Sequence, residues 1–255
     1  MEVKGCIALV TGGASGLGEA CVRDLVREGA RVSILDLTVE RGEKLASEMG
    51  DACIFCKTDV TDEKSVQSAV DATKNRFGAI HVAINCAGVA TPAKVIGKQG
   101  PISMDGFNKV VQINLMGTLN VIRLAAVEML KNVPNEHGER GVAINTSSGA
   151  AYEGQIGQAA YSASKAAVIG MTLPIAREFA DYGIRIVTIA PGIFDTPMLG
   201  GMPENVRQSL IKTCIFPKRM GLPEEYALLA KQIIQNPMLN GASIRLDGAL
   251  RLAPR

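Results

Sequence analysis

Cys6-Ile7-Ala8-Leu9-Val10-Thr11-Gly12-Gly13-Ala14-Ser15-Gly16-Leu17-Gly18 opens the chain with an apolar run, a cluster of small residues and the start of a helical pattern. Ile7 to Val10 are apolar without alternation, the pattern of a strand covered on both faces of its sheet. Glycines 12, 16 and 18 stand in the spacing G-x-x-x-G-x-G. They permit a tight turn, a close approach of backbone to a bound group, and close packing of helix on strand. The helix that follows exposes unpaired N–H groups at its start, where an anion is favoured. The spacing is a variant of the common G-x-G-x-x-G turn. Gly12, Ser15, Gly16, Leu17 and Gly18 are therefore candidate contacts to a dinucleotide pyrophosphate.

Outward from this turn the pattern repeats. Apolar β-branched runs at 6–11, 31–35, 52–57, 81–85, 142–146, 185–189 and 243–246 alternate with helical periods at 17–27, 39–49, 63–76, 104–130, 158–181 and 224–235. Strands separated by helices predict parallel pairing through crossover connections. The expected fold class is α/β, a single Rossmann-type doubly wound parallel sheet with helices on both faces. The 255 residues, 47% of them hydrophobic, suffice for one large core. Without repeats or a long linker, one domain spanning 1–255 is expected, with a substrate lid over approximately 194–217.

Charge and cysteine usage narrow the partners. Lys and Arg number 27 against 25 Asp and Glu, a net charge of +2. That supplies no general attraction for nucleic acid or anionic lipid, so neither a nucleic-acid nor a membrane partner is expected. Every long apolar run reads as interrupted short of the ~20 residues a bilayer requires. The first strand begins so near Met1 that a cleavable leader does not fit, and a cytoplasmic location is expected; a mitochondrial one would need a non-cleaved signal. The six cysteines are scattered, mostly in apolar runs, as small buried hydrophobes. Cys53-Ile54-Phe55-Cys56 has C-x-x-C spacing but lies in a strand-like run, where a redox pair is not expected. No metal site is expected.

Chemistry-bearing residues collect at the strand ends. Asp36 closes the second strand, where a carboxylate meets the adenosine ribose and repels a 2′-phosphate, which selects NAD over NADP. Asp59 and Val60 follow the third strand, either as an adenine contact or as a loop and helix cap. Cys86-Ala87-Gly88 follow Asn85 at the end of the fourth. Asn114 interrupts an apolar helix, where an amide is costly unless it finds partners. Pro191-Gly192 end the sixth strand, and Phe194 and Thr196 are expected to fold over the nicotinamide. A helix begun near Gln158 places Tyr161 and Lys165 one turn apart on one face. The ammonium is expected to favour the phenolate and so ready Tyr161 as a general base, with Ser148 binding the same substrate oxygen.

Taken together, Thr11-Gly12-x-x-x-Gly16-x-Gly18, Asn85-Cys86-Ala87-Gly88, Asn114, Ser148, Tyr161-x-x-x-Lys165 and Pro191-Gly192 resemble, in order and spacing, the short-chain dehydrogenase/reductase family. The resemblance spans essentially the whole chain. Cys86 departs from it, standing where most of the family has a second Asn. The resemblance implies an NAD-dependent oxidoreductase interconverting a secondary alcohol and a ketone, with Tyr161 as acid/base. Lys165 would hold the nicotinamide ribose, Asn114 would fix a proton-relaying water, and Ser148, Gln158 and Tyr161 would bind substrate. The implied substrate is a small molecule, a short or branched 3-hydroxyacyl-CoA or a hydroxysteroid, and the implied assembly a homotetramer. Residues 93–100 resemble a family insertion near the pocket mouth, and Lys94 and Lys98 there are either CoA-phosphate contacts or solvated loop lysines. Two alternatives stay open: an NADPH-dependent 3-oxoacyl-[acyl-carrier-protein] reductase, and a non-catalytic scaffold in a tRNA-processing complex.

Overall fold

The computed structural model describes residues 1–98, 100–200 and 204–254. The first half holds β1 (Ile7–Thr11), α1 (Gly16–Arg27), β2 (Arg31–Asp36), α2 (Val39–Met49), β3 (Cys53–Lys57), α3 (Glu63–Phe77) and β4 (Val82–Asn85). A small antiparallel pair, β5 (Ile96–Gly97) with β6 (Gly100–Pro101), precedes α4 (Met104–Val111) and α5 (Gly117–Met129). The second half holds β7 (Gly141–Thr146), α6 (Ala159–Phe179), β8 (Ile184–Pro191), α7 (Pro197–Gly200), α8 (Glu204–Thr213), α9 (Pro223–Gln235) and β9 (Ser243–Leu246).

Seven strands form one sheet in the order β3-β2-β1-β4-β7-β8-β9, every pairing parallel. Side-chain alternation divides the core in two. Ala8 and Val10 of β1, Val82 and Ile84 of β4, and Val142 and Ile144 of β7 pack with α1 and α9. Leu9, Ala83 and Ala143 point the other way, against α3 and α5. Both faces are covered, so the strands carry no polar face. This is the Rossmann-like doubly wound arrangement. The chain leaves β1 toward β3 and returns to β4 on β1's other side, and the crevice at that reversal, beyond the carboxyl ends of the strands, is where ligands bind in such sheets.

Three expectations need correction. The helix expected over 104–130 is broken by a π-helical turn, Gln112–Met116, which separates α4 from α5. The wider turn points Asn114 inward, fully buried. By length and composition Met104–Met129 is apolar enough to cross a membrane, contrary to the reading that every apolar run is too short. Half of its most apolar window is buried. Asn120 within it donates to the Val60 carbonyl at 3.0 Å, as a packed core helix allows. No helix is expected between 181 and 224, but the lid stretch there contains α7 and α8; residues 201–203 of the expected lid lie outside the described residues, as does Gln99 of the 93–100 segment.

Candidate active site

A cleft of about 920 Å³ lies along the carboxyl edge of the sheet. It is lined by Gly12, Ser15, Gly16, Leu17, Gly18, Asp36, Asp59, Val60, Cys86, Ala87, Gly88, Ser148, Gln158, Tyr161, Lys165, Pro191, Gly192, Phe194 and Thr196. These are all the site residues read from the sequence except Asn114.

Its first part is built on the β1–α1 turn. Gly12 has φ +61°, and a Cβ there would sit 2.8 Å from the Ala87 backbone nitrogen. At Gly18 a Cβ would meet the Gly12 carbonyl oxygen at 2.2 Å, so no other residue lets α1 start this close to its strand. Ser15 stands at the N-cap position without a side-chain cap bond, and the first N–H groups of α1 are left for another acceptor. Asp36 ties the next strand to this turn: Oδ2 accepts from the Ala14 N–H at 3.1 Å and Oδ1 from the Thr38 N–H at 2.9 Å. Each oxygen keeps lone-pair capacity for a ribose hydroxyl. An uncapped helix start beside an oriented carboxylate fits a dinucleotide. Asp59 accepts from the Thr61 N–H and hydroxyl while lining the same wall. Asp62 is the residue that caps α3.

The second part centres on β7 and α6. Ser148 lies two residues past β7 and Tyr161 one turn into α6, whose N-cap is Gln158. The Lys165 ammonium donates to the Thr146 carbonyl at 2.8 Å and lies 5.8 Å from the Tyr161 ring centre. Burial pushes Lys165 down to about 8, with the nearby Cys86 opposing. Tyr161 is not held down by that ammonium as expected. Burial pushes its phenol up, and the group opposing this is the Ser148 hydroxyl. Lys165 aims at the strand end rather than at the phenol oxygen, and desolvation outweighs charge at this distance.

Asn114 stands behind the cleft wall. Its Oδ1 accepts from the Val89 N–H at 2.8 Å, and its Nδ2 donates to the Val89 carbonyl and to Ser164 Oγ, each at 3.0 Å. The amide thus finds the partners its burial requires, and it clamps the segment after β4 to α6. A Cβ on Gly88 would come within 3.1 Å of Asn114 Oδ1 and 3.4 Å of Lys165 Nζ. Lys94 and Lys98 are exposed and do not line the cleft. Cys53 and Cys56 lie in β3, both thiols pushed up by burial, Cys53 to about 12.

Several residues of the site were not read from the sequence. Thr146 supplies the carbonyl that holds Lys165, and Ser147 Oγ donates to the Lys165 carbonyl at 2.8 Å. Their place immediately before Ser148 was the available signal. Lys109, Gln155, Leu199, Leu210 and Leu252 also line the cleft, and nothing in their local sequence marks them.

A phenol, a hydroxyl and an ammonium sharing one cleft with a glycine turn at a sheet reversal define a dinucleotide-dependent oxidoreductase. The sequence profile of the short chain dehydrogenase family matches residues 6–207, and the chain belongs to that family. It is 53% identical over 255 residues to the 3-hydroxyacyl-CoA dehydrogenase type-2 of Homo sapiens, covering 99% of this chain and 98% of that one. The crystal structure of 3-hydroxyacyl-CoA dehydrogenase type-2 from Mycobacterium avium superposes with a TM-score of 0.95, at 43% identity and 98% coverage of both chains. That of 3-ketoacyl-(acyl-carrier-protein) reductase from Brucella melitensis complexed with NADH gives 0.87 at 26% identity, over 98% of this chain and 100% of that one.

Proposed function

We propose that this chain oxidises the secondary alcohol of short or branched (S)-3-hydroxyacyl-CoA thioesters to the 3-oxo thioesters with NAD, and acts on hydroxysteroids as secondary substrates. The observation that carries this reading is the shared cleft: Ser148, Tyr161 and Lys165 face the same space as the glycine turn and Asp36. The names of the full-length relatives support the substrate class. Asp36 supports NAD, since its carboxylate, already oriented by the Ala14 N–H, would repel a 2′-phosphate.

When bound, NAD supplies the hydride acceptor. The chain does the rest. Ser148 donates to the substrate oxygen and orients it beside the phenol. Tyr161, as phenolate, takes the hydroxyl proton, and in reduction returns it. Burial makes that phenolate costly, and the hydrogen bond from the Ser148 hydroxyl offsets part of that cost. Lys165, charged below about pH 8, holds the ribose. Asn114 keeps the Val89 segment against α6 and, as the family resemblance implies, fixes a water that relays protons to Lys165. Ser15 to Gly18 would hold the pyrophosphate, Asp36 the ribose, Asp59 and Val60 the adenine, and Phe194 and Thr196 the nicotinamide. Residues 194–217 serve as lid in a one-domain chain, and the chain assembles as a homotetramer.

Initial rates with NAD+ across acyl-CoA, steroid and simple alcohol substrates test the reading. Preferred turnover of 3-hydroxyacyl-CoA supports it; turnover no better than that of a free alcohol refutes it. The likeness to the Brucella reductase keeps a carrier-protein reductase in view. A rate with NADPH above that with NADH would favour that alternative.

A further inference from the structure

We propose that Leu252 is a specificity-determining residue: it forms the fixed wall that limits the length of acyl chain in the substrate part of the cleft, and Arg245 is the positioning residue that keeps it there. The inference rests on the thioester reading above and adds to it the element that measures the chain. Residues 250–254 come back to the cleft after the last strand, and Leu252 lines it together with Gln155, Gln158, Leu199 and Leu210.

What distinguishes Leu252 from the other two leucines is how its backbone is held. On one side the Leu250 carbonyl accepts from Arg245 Nη2 at 3.2 Å, and Leu250 itself is buried. On the other, the Ala253 carbonyl accepts from Gln155 Nε2 at 3.0 Å and the Pro254 carbonyl from the Ile156 N–H at 3.1 Å. Leu199 and Leu210 belong to α7 and α8, in a segment closed at its base by the Phe194–Gly221 bridge and joined to it by the Arg207–Asp195 ion pair. A leucine on a lid moves with the lid. A length limit requires a wall that stays put, and Leu252 is the one pinned from both sides.

Arg245 is the centre of that pinning. Its Nη1 and Nη2 grip the two oxygens of Glu153 at 2.6 and 2.8 Å, and Nε donates to Asp247 Oδ2 at 2.6 Å. Its guanidinium carbon stands 4.7 Å from the Tyr152 ring centre, a stacking contact. The bidentate fork on a half-buried carboxylate is a geometry lysine does not reproduce. Glu153 opens the loop leading into α6, and Gln155 and Gln158 of that loop bond to each other while facing the cleft. One guanidinium thus fixes the loop before Tyr161 and the segment carrying Leu252 relative to each other.

The test is the ratio of kcat/KM for long against short members of a straight-chain (S)-3-hydroxyacyl-CoA series with NAD+, measured for wild type, Leu252→Ala and Leu252→Phe. A pocket methylene is worth about tenfold or more in such a ratio. Leu252→Ala is expected to raise it by at least about tenfold and Leu252→Phe to lower it as much, with NADH affinity unchanged in both. Arg245→Met, which frees the wall, is expected to raise the ratio in the same direction as Leu252→Ala, through a lower KM for the long thioesters more than through kcat, with Arg245→Lys shifting it only part of the way. An unchanged length ratio in both Leu252 variants, with NADH still bound, overturns the proposal. A parallel series of 2-alkanols separates the two readings. If no thioester turns over, the substrate class fails and the length limit is read from the alcohols; if thioesters turn over without any shift in ratio, the wall fails and the substrate class stands.

Discussion

The part of the cleft proposed for the cofactor is assembled at the ends of neighbouring strands, with Gly12 after β1, Asp36 closing β2 and Cys86 after β4, whereas the part proposed for the substrate draws on the 153–158 loop, α7, α8 and residues 250–254. In the first, the sheet register itself sets the positions, since Thr11 pairs with both Leu35 and Asn85. In the second, side-chain bonds set them: Arg245 to Glu153, Gln155 to the Ala253 carbonyl, Arg207 to Asp195. A backbone-built region tolerates little change in its few small residues. A region held by side chains can alter its specificity by single substitutions while the fold remains.

The largest effect is expected where the two parts meet. Tyr161→Phe keeps the ring and removes the acid/base group, so steady-state oxidation should fall by about 10²–10⁴-fold while NADH titrations are unchanged. Near-normal turnover would break the assignment of Tyr161.

Next comes Lys165, at about 8 against an ordinary 10.5. Between those values the unfolded chain binds more protons at this site than the folded one, so its contribution to stability rises with pH across that window. Denaturant titrations of wild type and Lys165→Met, in matched buffers from pH 7 to 11, should show stabilities whose difference changes by up to ~3 kcal/mol across that window. Identical pH dependence would show that the ammonium is not desolvated.

Asn114→Ala leaves the Val89 N–H and carbonyl without partners, which costs about 1–3 kcal/mol. The midpoint of chemical unfolding should fall accordingly; an unchanged midpoint would mean the clamp contributes nothing. The smallest effect is at Asp36. Asp36→Ala removes a like charge from the site of a 2′-phosphate and should reduce the NADH-over-NADPH preference by about tenfold, roughly 1.4 kcal/mol. Competitive binding of the two cofactors would measure it.

The same contrast explains what the letters showed. Most of the seven strands were legible because they are short, mainly apolar runs covered on both faces, the edge strand β9 by its alternating Ile244 and Leu246, and the glycine turn because 12, 16 and 18 lie within one local motif. The π-turn at Asn114 was not legible, because the partners that Asn114 meets there, Val89 and Ser164, are distant in sequence. Nor was the rise of the Tyr161 phenol. Helical spacing set it beside Lys165, but spacing says nothing of how deeply the ring is buried or that the ammonium turns to Thr146. Thr146 and Ser147 were passed over for Ser148, although each bonds Lys165. Nothing in the letters marks Arg245 within the strand expected over 243–246, or Leu252 beyond it, because Arg245's partner Glu153 and most of the cleft that Leu252 lines are contributed by other parts of the chain.

The central claim is that the carbinol carbon and the cofactor meet in this one cleft, with Tyr161 between substrate proton and solvent. A (S)-3-hydroxyacyl-CoA carrying deuterium on the carbinol carbon, oxidised by the wild-type chain with NAD+, measures this most directly when the reduced cofactor is analysed by mass spectrometry. The account predicts one deuterium transferred directly to the reduced cofactor and none released to water. Deuterium appearing in the solvent, or a product formed without labelled NADH, would contradict it.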